Sequence, residues 1–139
     1  MLFRSLARVQ YDKGQADAAR GTLAWAAESA GEPNYREIAR LRLAGLQMDA
    51  KQYDEASKTL DAIKLPEYAA LAADRRGDLA LAQGKADVAK AEYRKAYAGL
   101  DKTVQYRNLI EAKLSSLGVD VLSEEKKAGD APAAKGAGQ

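Results

Sequence analysis

The chain has 139 residues, which is enough for one domain with a hydrophobic core. Its 22 basic and 20 acidic residues are interspersed, so no basic stripe is available for phosphate groups and nucleic-acid binding is not expected. The absence of Cys and His excludes thiol nucleophiles, imidazole bases, disulfides and most transition-metal sites. Hydrophobic residues make up 47% of the chain and many are alanine, the best helix former, so we expect an all-α protein.

One sequence pattern occurs three times along the chain. Each copy has a turn, an Asp at the start of a helix, and then small or apolar residues at steps of four and three, which put them on one helical face. The Asp residues are Asp17, Asp54 and Asp87, separated by 37 and 33 residues. This recurrence predicts a stacked helical repeat rather than an active site. The residues on the three faces are Ala19, Leu23 and Ala26, then Ala56, Leu60 and Ile63, then Ala89, Tyr93 and Ala96.

In chain order, each repeat is predicted to consist of a helix A, a short turn and a helix B. Trp25, on a helix B, is expected in the core or between repeats. A further helix is expected from Thr103 to Leu117, covering the open end of the stack, with Arg107 and Lys113 pointing outward. The expected ranges of helix A are about 2–13, 35–50 and 67–83, and those of helix B about 17–30, 54–64 and 87–100.

The predicted repeat domain covers residues 1–118, and residues 119–139 are predicted to be a disordered tail. The tail is charged, rich in small residues and aperiodic, so we do not expect it to bury enough apolar surface to offset its chain entropy. No run of about 18 apolar residues occurs in the sequence, so no part of it is predicted to span a bilayer.

A period of about 34 residues with two helices in each unit resembles the tetratricopeptide repeat family. The small residue that this family has in helix A corresponds to Ala7, Ala44 and Gly77. Two residues depart from the pattern, because Arg40 stands where an aromatic residue is expected and Arg76 where a leucine is expected. The resemblance implies a right-handed superhelix of three helical hairpins plus a C-terminal closing helix.

Several stretches more closely resemble the periplasmic domain of the bacterial ancillary Sec-translocon subunit family. They include "RGDLALAQG" in the third repeat and "NLIEAKLSSLG" in the last helix, and the likeness covers about residues 6–118. In that family a short cytosolic tail and one membrane helix precede this domain. The resemblance therefore implies that the natural chain begins upstream of Met1, and that the domain, itself soluble, lies on the periplasmic side of the inner membrane.

The same resemblance implies protein partners and no cofactor or metal. The partners would be the Sec channel and a membrane-anchored periplasmic prolyl-isomerase chaperone. The implied role is to pass emerging proteins to periplasmic chaperones, together with a link to envelope-stress signalling.

In tetratricopeptide stacks helix A lines the concave face, so the resemblance implies a protein-binding groove there. Met and Leu beside charged residues suit a tolerant peptide groove, because Met is flexible. For Leu41, Met48 and Leu81, packing in the core between repeats is the alternative. A groove this short favours weak binding, of micromolar order. The residues assigned to this face are Arg4, Arg8, Tyr11, Leu41, Gly45, Met48, Asp74, Asp78 and Leu81.

Other classes of function remain open at this point. Asp74 and Asp78 are four residues apart on one predicted helix, a spacing that would suit a cation or an acid–base pair. The alternative is a solvated or salt-bridged face, since Arg75 and Arg76 are adjacent and no other catalytic group stands nearby. The sequence therefore favours a non-enzymatic interaction module. A general tetratricopeptide adaptor with an unrelated partner and a structural spacer without a ligand are the other interpretations.

Overall fold

A computed structural model describes residues 15–130 of the chain, and this part contains seven α-helices, one short 3-10 helix and no strand. The all-α class is therefore confirmed. None of these helices is both long and apolar enough to cross a bilayer. In chain order the helices are α1 (Ala16–Ser29), α2 (Pro33–Asp49), α3 (Tyr53–Asp61), the 3-10 helix (Pro66–Tyr68), α4 (Ala69–Ala82), α5 (Ala86–Gly99), α6 (Tyr106–Ser116) and α7 (Val121–Asp130).

The helix bounds agree with the predicted repeats. α1, α3 and α5 correspond to helix B of the three repeats, while α2 and α4 correspond to helix A of the second and third. α6 corresponds to the predicted closing helix. The predicted helix A of the first repeat, 2–13, lies outside the described residues, and so do Arg4, Arg8 and Tyr11.

Consecutive helices pack on one another and share a stacked core. One cluster of buried residues joins α1 to α2 and includes Leu23 and Leu43. A second cluster joins α2, α3 and α4 around Leu60. A third joins α4, α5, α6 and the start of α7 around Tyr93 and Ile110. Because α2 and α4 each belong to two clusters, the core runs from α1 to α7 without a break.

α4 and α5 approach closely where Gly77 meets Tyr93. A Cβ atom at Gly77 would overlap the ring of Tyr93, which is 1% exposed. The absence of a side chain at Gly77 thus makes room for the aromatic ring between the two helices. Ala44 holds the equivalent position on α2 and is fully buried, which gives a physical reason for the small helix A residue in each repeat.

The turns that end α2, α4 and α6 share one backbone conformation. Lys51, Gly84 and Gly118 have positive φ angles of 62°, 75° and 83°. In each turn the N–H of the following residue donates to a carbonyl five residues earlier, at 2.8, 2.8 and 2.9 Å, which is the Schellman arrangement. Lys51 is the one non-glycine residue of the described chain with a positive φ, a conformation that costs L-residues about 1–2 kcal/mol.

A buried glutamate connects α2 to the loop before α4. Glu37 is 2% exposed, and its carboxylate accepts hydrogen bonds from the N–H groups of Lys64 and Leu65 at 2.8 and 2.9 Å. Arg40 Nη1 donates to the other oxygen of Glu37 at 2.6 Å. Burial alone would raise the pKa of Glu37, but these hydrogen bonds hold it below its usual value. Arg40, which departs from the family pattern, therefore supports a contact between repeats.

The second departure from the family pattern also has a structural role. Arg76 Nη2 on α4 donates to the carbonyl oxygen of Leu60 at 3.2 Å and lies 3.4 Å from Oδ1 of Asp61. Both acceptors are at the C-terminal end of α3, where a cation satisfies free carbonyl groups and the negative end of the helix dipole. A leucine at this position would leave that end without its donor.

Residues 119–130 differ from the predicted disordered tail. Val119 and Val121 are 7% and 5% exposed, and α7 follows. The Asp120 carboxylate accepts a hydrogen bond from the N–H of Ser123 at 3.1 Å and so caps this helix. Two valines and a capping residue do not make a periodic hydrophobic pattern, and their packing partners on α5 and α6 are distant in sequence. The prediction of disorder therefore depended on composition alone. Residues 131–139 lie outside the described part.

Candidate protein-binding face

The residues assigned to the binding face occupy equivalent positions on α2 and α4. Gly45 and Met48 on α2 precede Asp78 and Leu81 on α4 by 33 residues, and Arg75 lies beside Asp78. Steps of three or four residues keep each set on one side of its helix. Because α2 packs directly on α4, the two sets lie on neighbouring helices. We call these five residues together the A-helix face.

The α2 side of this surface is partly core and partly open. Leu41 is 8% exposed and belongs to the cluster of buried residues between α2, α3 and α4, so it lies in the core and not on an accessible surface. Met48 packs against the same cluster but remains partly exposed. Apart from the backbone of α2 itself, no described atom comes within 4 Å of the place where a Cβ of residue 45 would stand. On α4, Leu81 is 44% exposed. The open part of the face therefore lies around Gly45 and Leu81.

Asp74 is fully buried and is bound from α6. Its Oδ1 accepts a hydrogen bond from Lys113 Nζ at 2.8 Å, and its Oδ2 accepts one from the hydroxyl of Tyr106. Arg75 Nη1 lies 3.8 Å from the same Oδ2. A buried carboxylate is tolerated only when donors and opposite charge compensate for the lost water, and these groups supply both. Asp74 thus joins α4 to the closing helix and is not accessible to a partner.

Asp78 shares Lys113 with Asp74 but is partly exposed. Its Oδ1 accepts hydrogen bonds from the hydroxyl of Tyr93 at 2.6 Å and from Lys113 Nζ at 3.1 Å. The expectation that Lys113 points outward was therefore wrong. Tyr106 and Lys113 are seven residues apart and so lie on the same side of α6. Both bind Asp74 on α4 from that side.

The two tyrosines of this network remain protonated donors. Burial raises the pKa of Tyr93, and its hydrogen bond to Asp78 raises it further. Burial and the hydrogen bond to Asp74 raise the pKa of Tyr106 in the same way. Both carboxylates therefore have donors across the neutral pH range. The arrangement is a neutralised polar network between α4, α5 and α6, and the described residues hold no group of three or more metal-ligating side chains.

Arg75 is the cation of the A-helix face, and the sequence analysis considered it only as a neighbour of the carboxylates. Its side chain is 36% exposed, with Nη1 3.7 Å from Asp78 Oδ2 and Nε without a hydrogen-bond partner among the described residues. The signal that identifies it is the repeat period, because Arg42 stands 33 residues earlier, at the equivalent position of α2.

The family of the chain follows from its sequence similarity to known proteins. The sequence model of the tetratricopeptide repeat-like domain matches residues 4–119. The chain belongs to this family.

The resemblance to ancillary translocon subunits is confirmed at the level of sequence similarity. The chain is 32% identical over 114 residues to the ancillary SecYEG translocon subunit of Escherichia coli (strain K12), covering 82% of this chain and 55% of the relative. It is 29% identical over 111 residues to the ancillary SecYEG translocon subunit of Neisseria gonorrhoeae, covering 80% and 53%. The chain therefore spans about half the length of the curated relatives it matches. No solved structure matches it.

Two side chains of this tetratricopeptide repeat-like domain are not where the sequence analysis expected them. Arg107 does not point outward, since its guanidinium lies 3.7 Å from the centre of the Tyr97 ring. Trp25 is 59% exposed rather than buried. α1 instead buries Ala26 and Ala27, because neighbouring helices come close only where side chains are small.

An open groove of about 400 Å³ lies between α3, α4 and α5 of the tetratricopeptide repeat-like domain. Small residues and charged residues of both signs line it. The sequence did not predict this groove, because its residues come from three different helices. The lining residues are Ala69, Ala70, Ala73 and Gly99, and Asp61, Arg76, Glu92 and Lys95.

Proposed function

We propose that this chain is a non-enzymatic protein-interaction domain of an ancillary subunit of the Sec translocon. The observation that carries the proposal is the 32% identity to the ancillary SecYEG translocon subunit of Escherichia coli over 82% of this chain. The architecture supports it, because stacked helical pairs present extended surfaces to other proteins. The neutralised Asp74–Asp78 network supports it as well, since both carboxylates are already bound by Lys113.

The A-helix face is the surface that we propose for partner binding. Gly45 leaves open space on α2, while Met48 and Leu81 offer apolar side chains beside it. Arg75 and Asp78 add one donor and one acceptor group for the polar backbone of an incoming chain. This mixture suits extended segments of varied sequence. The face is short, so we expect dissociation constants of micromolar order.

We propose further that the domain lies on the periplasmic side of the inner membrane, anchored by a helix upstream of Met1. Its role there would be to pass emerging proteins from the Sec channel to periplasmic chaperones, including a membrane-anchored prolyl isomerase, with a link to envelope-stress signalling. The resemblance to the ancillary translocon subunits supports these statements. Weak binding is consistent with them, because a segment that is passed onward must also be released.

A photo-crosslinking amino acid at Gly45 tests the proposal in the chain joined to its natural upstream sequence. Gly45 is suitable because a Cβ atom there would meet no atom of a neighbouring element within 4 Å. Gly21 on α1 is equally open and provides the matched control outside the A-helix face. We expect crosslinks from Gly45, and not from Gly21, to a Sec-channel subunit or to a periplasmic chaperone.

Two results would contradict the translocon assignment. The first is that crosslinks from Gly45 reach only cytosolic proteins, and the second is that the natural upstream sequence contains no membrane helix. Either result would favour the alternative function, a general tetratricopeptide adaptor with an unrelated partner, and would leave the A-helix face as the binding surface to be tested with that partner.

A further inference from the structure

The last described helix, α7, is held to the domain by its first turn. Val121 is 5% exposed, and Val119 just before it is 7% exposed. From Glu124 to Asp130 every residue is exposed. A helix that buries so little apolar surface opens from the domain far more easily than the core unfolds.

Two carboxylates fix this first turn in place. Glu124 Oε1 lies 2.9 Å from Arg94 Nη2 on α5, and Glu125 Oε1 lies 2.9 Å from Arg107 Nη2 on α6. The second oxygen of Glu125 accepts a hydrogen bond from the Tyr97 hydroxyl at 3.2 Å. About half of the Arg94 and Glu124 side chains is exposed, so dissolved salt screens this ion pair. The docking of α7 therefore depends on charge as well as on the two valines.

The surface that receives α7 is ordered by contacts between α5 and α6. The Arg107 guanidinium lies 3.7 Å from the centre of the Tyr97 ring, and its Nε donates to the Tyr97 carbonyl oxygen at 3.2 Å. Neither contact involves α7. The hydrogen bond from Arg107 lowers the pKa of Glu125, so the bound carboxylate stays charged. Because these contacts already restrict the Arg107 side chain, binding a carboxylate costs it little further conformational entropy.

We propose that Arg94, Tyr97 and Arg107 form a docking surface for an acidic helix of a partner protein, and that α7 occupies this surface as an internal competitor. The chemistry of the partner is given by α7 itself. The partner helix has an apolar residue, equivalent to Val121, followed three and four residues later by two adjacent carboxylates. The surface lies on α5 and α6, so the inference is independent of the function proposed for the A-helix face. A partner helix with the same pattern and a larger apolar side displaces α7.

A labelled peptide with the sequence of residues 118–130 tests the proposal on the full chain. One variant combines Glu124→Gln and Glu125→Gln, which weakens the docking of α7 but keeps both valines. We expect this variant to bind the peptide at least about tenfold more tightly than the unaltered chain, because the internal competitor is weakened. Fluorescence anisotropy measures the affinity, which should fall as salt is raised from about 0.05 M to about 0.5 M.

A matched control variant combines Lys126→Gln and Lys127→Gln, which also neutralises two charges but in the exposed part of α7. This variant should bind the peptide as the unaltered chain does. A second peptide has Gln in place of both glutamates. Its affinity for every chain should be at least about tenfold lower than the affinity of the native peptide for the Glu124/Glu125 variant. Hydrogen–deuterium exchange over residues 121–130 should accelerate in the Glu124/Glu125 variant and stay unchanged in the control.

Three results would overturn the proposal. One is equal binding of the native peptide to the unaltered chain and to the Glu124/Glu125 variant. Another is unchanged hydrogen–deuterium exchange of α7 in that variant, since the helix would then be held by other means. The third is a dimer of the unaltered chain formed by exchange of α7, detected by sedimentation, because it would assign the surface to a second copy of the chain.

Discussion

The buried carboxylate of Asp74 shows how a single residue joins elements that are distant in sequence. It lies on α4 and takes its donors from α6, with Lys113 Nζ at 2.8 Å. The sequence analysis placed Asp74 and Asp78 on one helix face correctly but gave them only Arg75 and Arg76 as neighbours. Lys113 is 39 residues from Asp74, so no local pattern could have paired them.

Replacement of Lys113 by methionine removes the nearer of the two cations beside the buried Asp74 and leaves only Arg75, at 3.8 Å. We expect Lys113→Met to lower the free energy of unfolding by about 2–3 kcal/mol, because a buried carboxylate without its nearest cation is costly. The matched control is Lys90→Met, which removes the pair of Lys90 with the fully exposed Asp87 and should change stability by less than about 0.5 kcal/mol. Urea unfolding followed by circular dichroism measures both, and equal losses in the two variants would contradict the assignment.

The raised pKa of Tyr93 predicts a loss of stability at alkaline pH. Above about pH 10 the unfolded chain releases the tyrosine proton while the folded chain keeps it, so the free energy of unfolding falls as pH rises. The contribution is fully present below that pH. We expect the fall between about pH 10 and about pH 11 to be smaller in Tyr93→Phe, by up to about 1.4 kcal/mol for one tyrosine. Urea unfolding at both pH values checks this, and parallel profiles of the two proteins would disprove it.

Two helix glycines should respond to alanine in opposite directions. A Cβ at Gly77 would overlap the Tyr93 ring, so Gly77→Ala should destabilise the domain by about 1–3 kcal/mol. No described atom stands within 4 Å of a Cβ at Gly45, so Gly45→Ala should be neutral or stabilising by up to about 1 kcal/mol. Thermal unfolding of the two variants distinguishes these effects, and a loss of stability in Gly45→Ala would show that its surroundings are not open.

At the scale of the elements, the turns that end the A helices share one backbone conformation. Lys51 and Gly84 end α2 and α4 with φ angles of 62° and 75°. Lys51→Gly should therefore stabilise the domain by about 0.5–1 kcal/mol, because relief of the left-handed conformation exceeds the entropy that glycine loses on folding. Gly84→Ala should destabilise it by about 1 kcal/mol. Denaturant titration of both variants measures the pair, and a stabilising Gly84→Ala would contradict the shared turn.

The helices were predictable from the sequence because their buried faces recur at helical spacing. Ala56 and Leu60 on α3 and Ala89 and Tyr93 on α5 are all fully or almost fully buried, as their spacing indicated. α7 was not predictable, since its docking depends on Arg94 and on other residues of α5 and α6 that are about 20 to 30 residues away. The position of Trp25 was mispredicted because Leu23 and three alanines occupy the buried side of α1.

At the scale of the whole molecule, the two surfaces proposed for partner binding lie on different helices of the stack. The A-helix face on α2 and α4 combines open space at Gly45 with an exposed Leu81. The far end of the stack carries α7, bound to α5 and α6 through ion pairs. The sequence could align the residues assigned to the first surface on α2 and α4 through the repeat period, and their role in binding stays a proposal. It could not show that Leu41 and Asp74 are buried, since that depends on how neighbouring helices pack.

We propose that the A-helix face binds a protein of the translocon or of the chaperones around it. The most direct measurement is co-purification of these proteins with the natural protein carrying Gly45→Trp, compared with Gly21→Trp. At both positions a Cβ atom would meet no atom of a neighbouring element within 4 Å, so we expect both variants to fold, which circular dichroism checks. We predict that Gly45→Trp loses the partner while Gly21→Trp retains it. Retention of the partner by both folded variants would contradict the account.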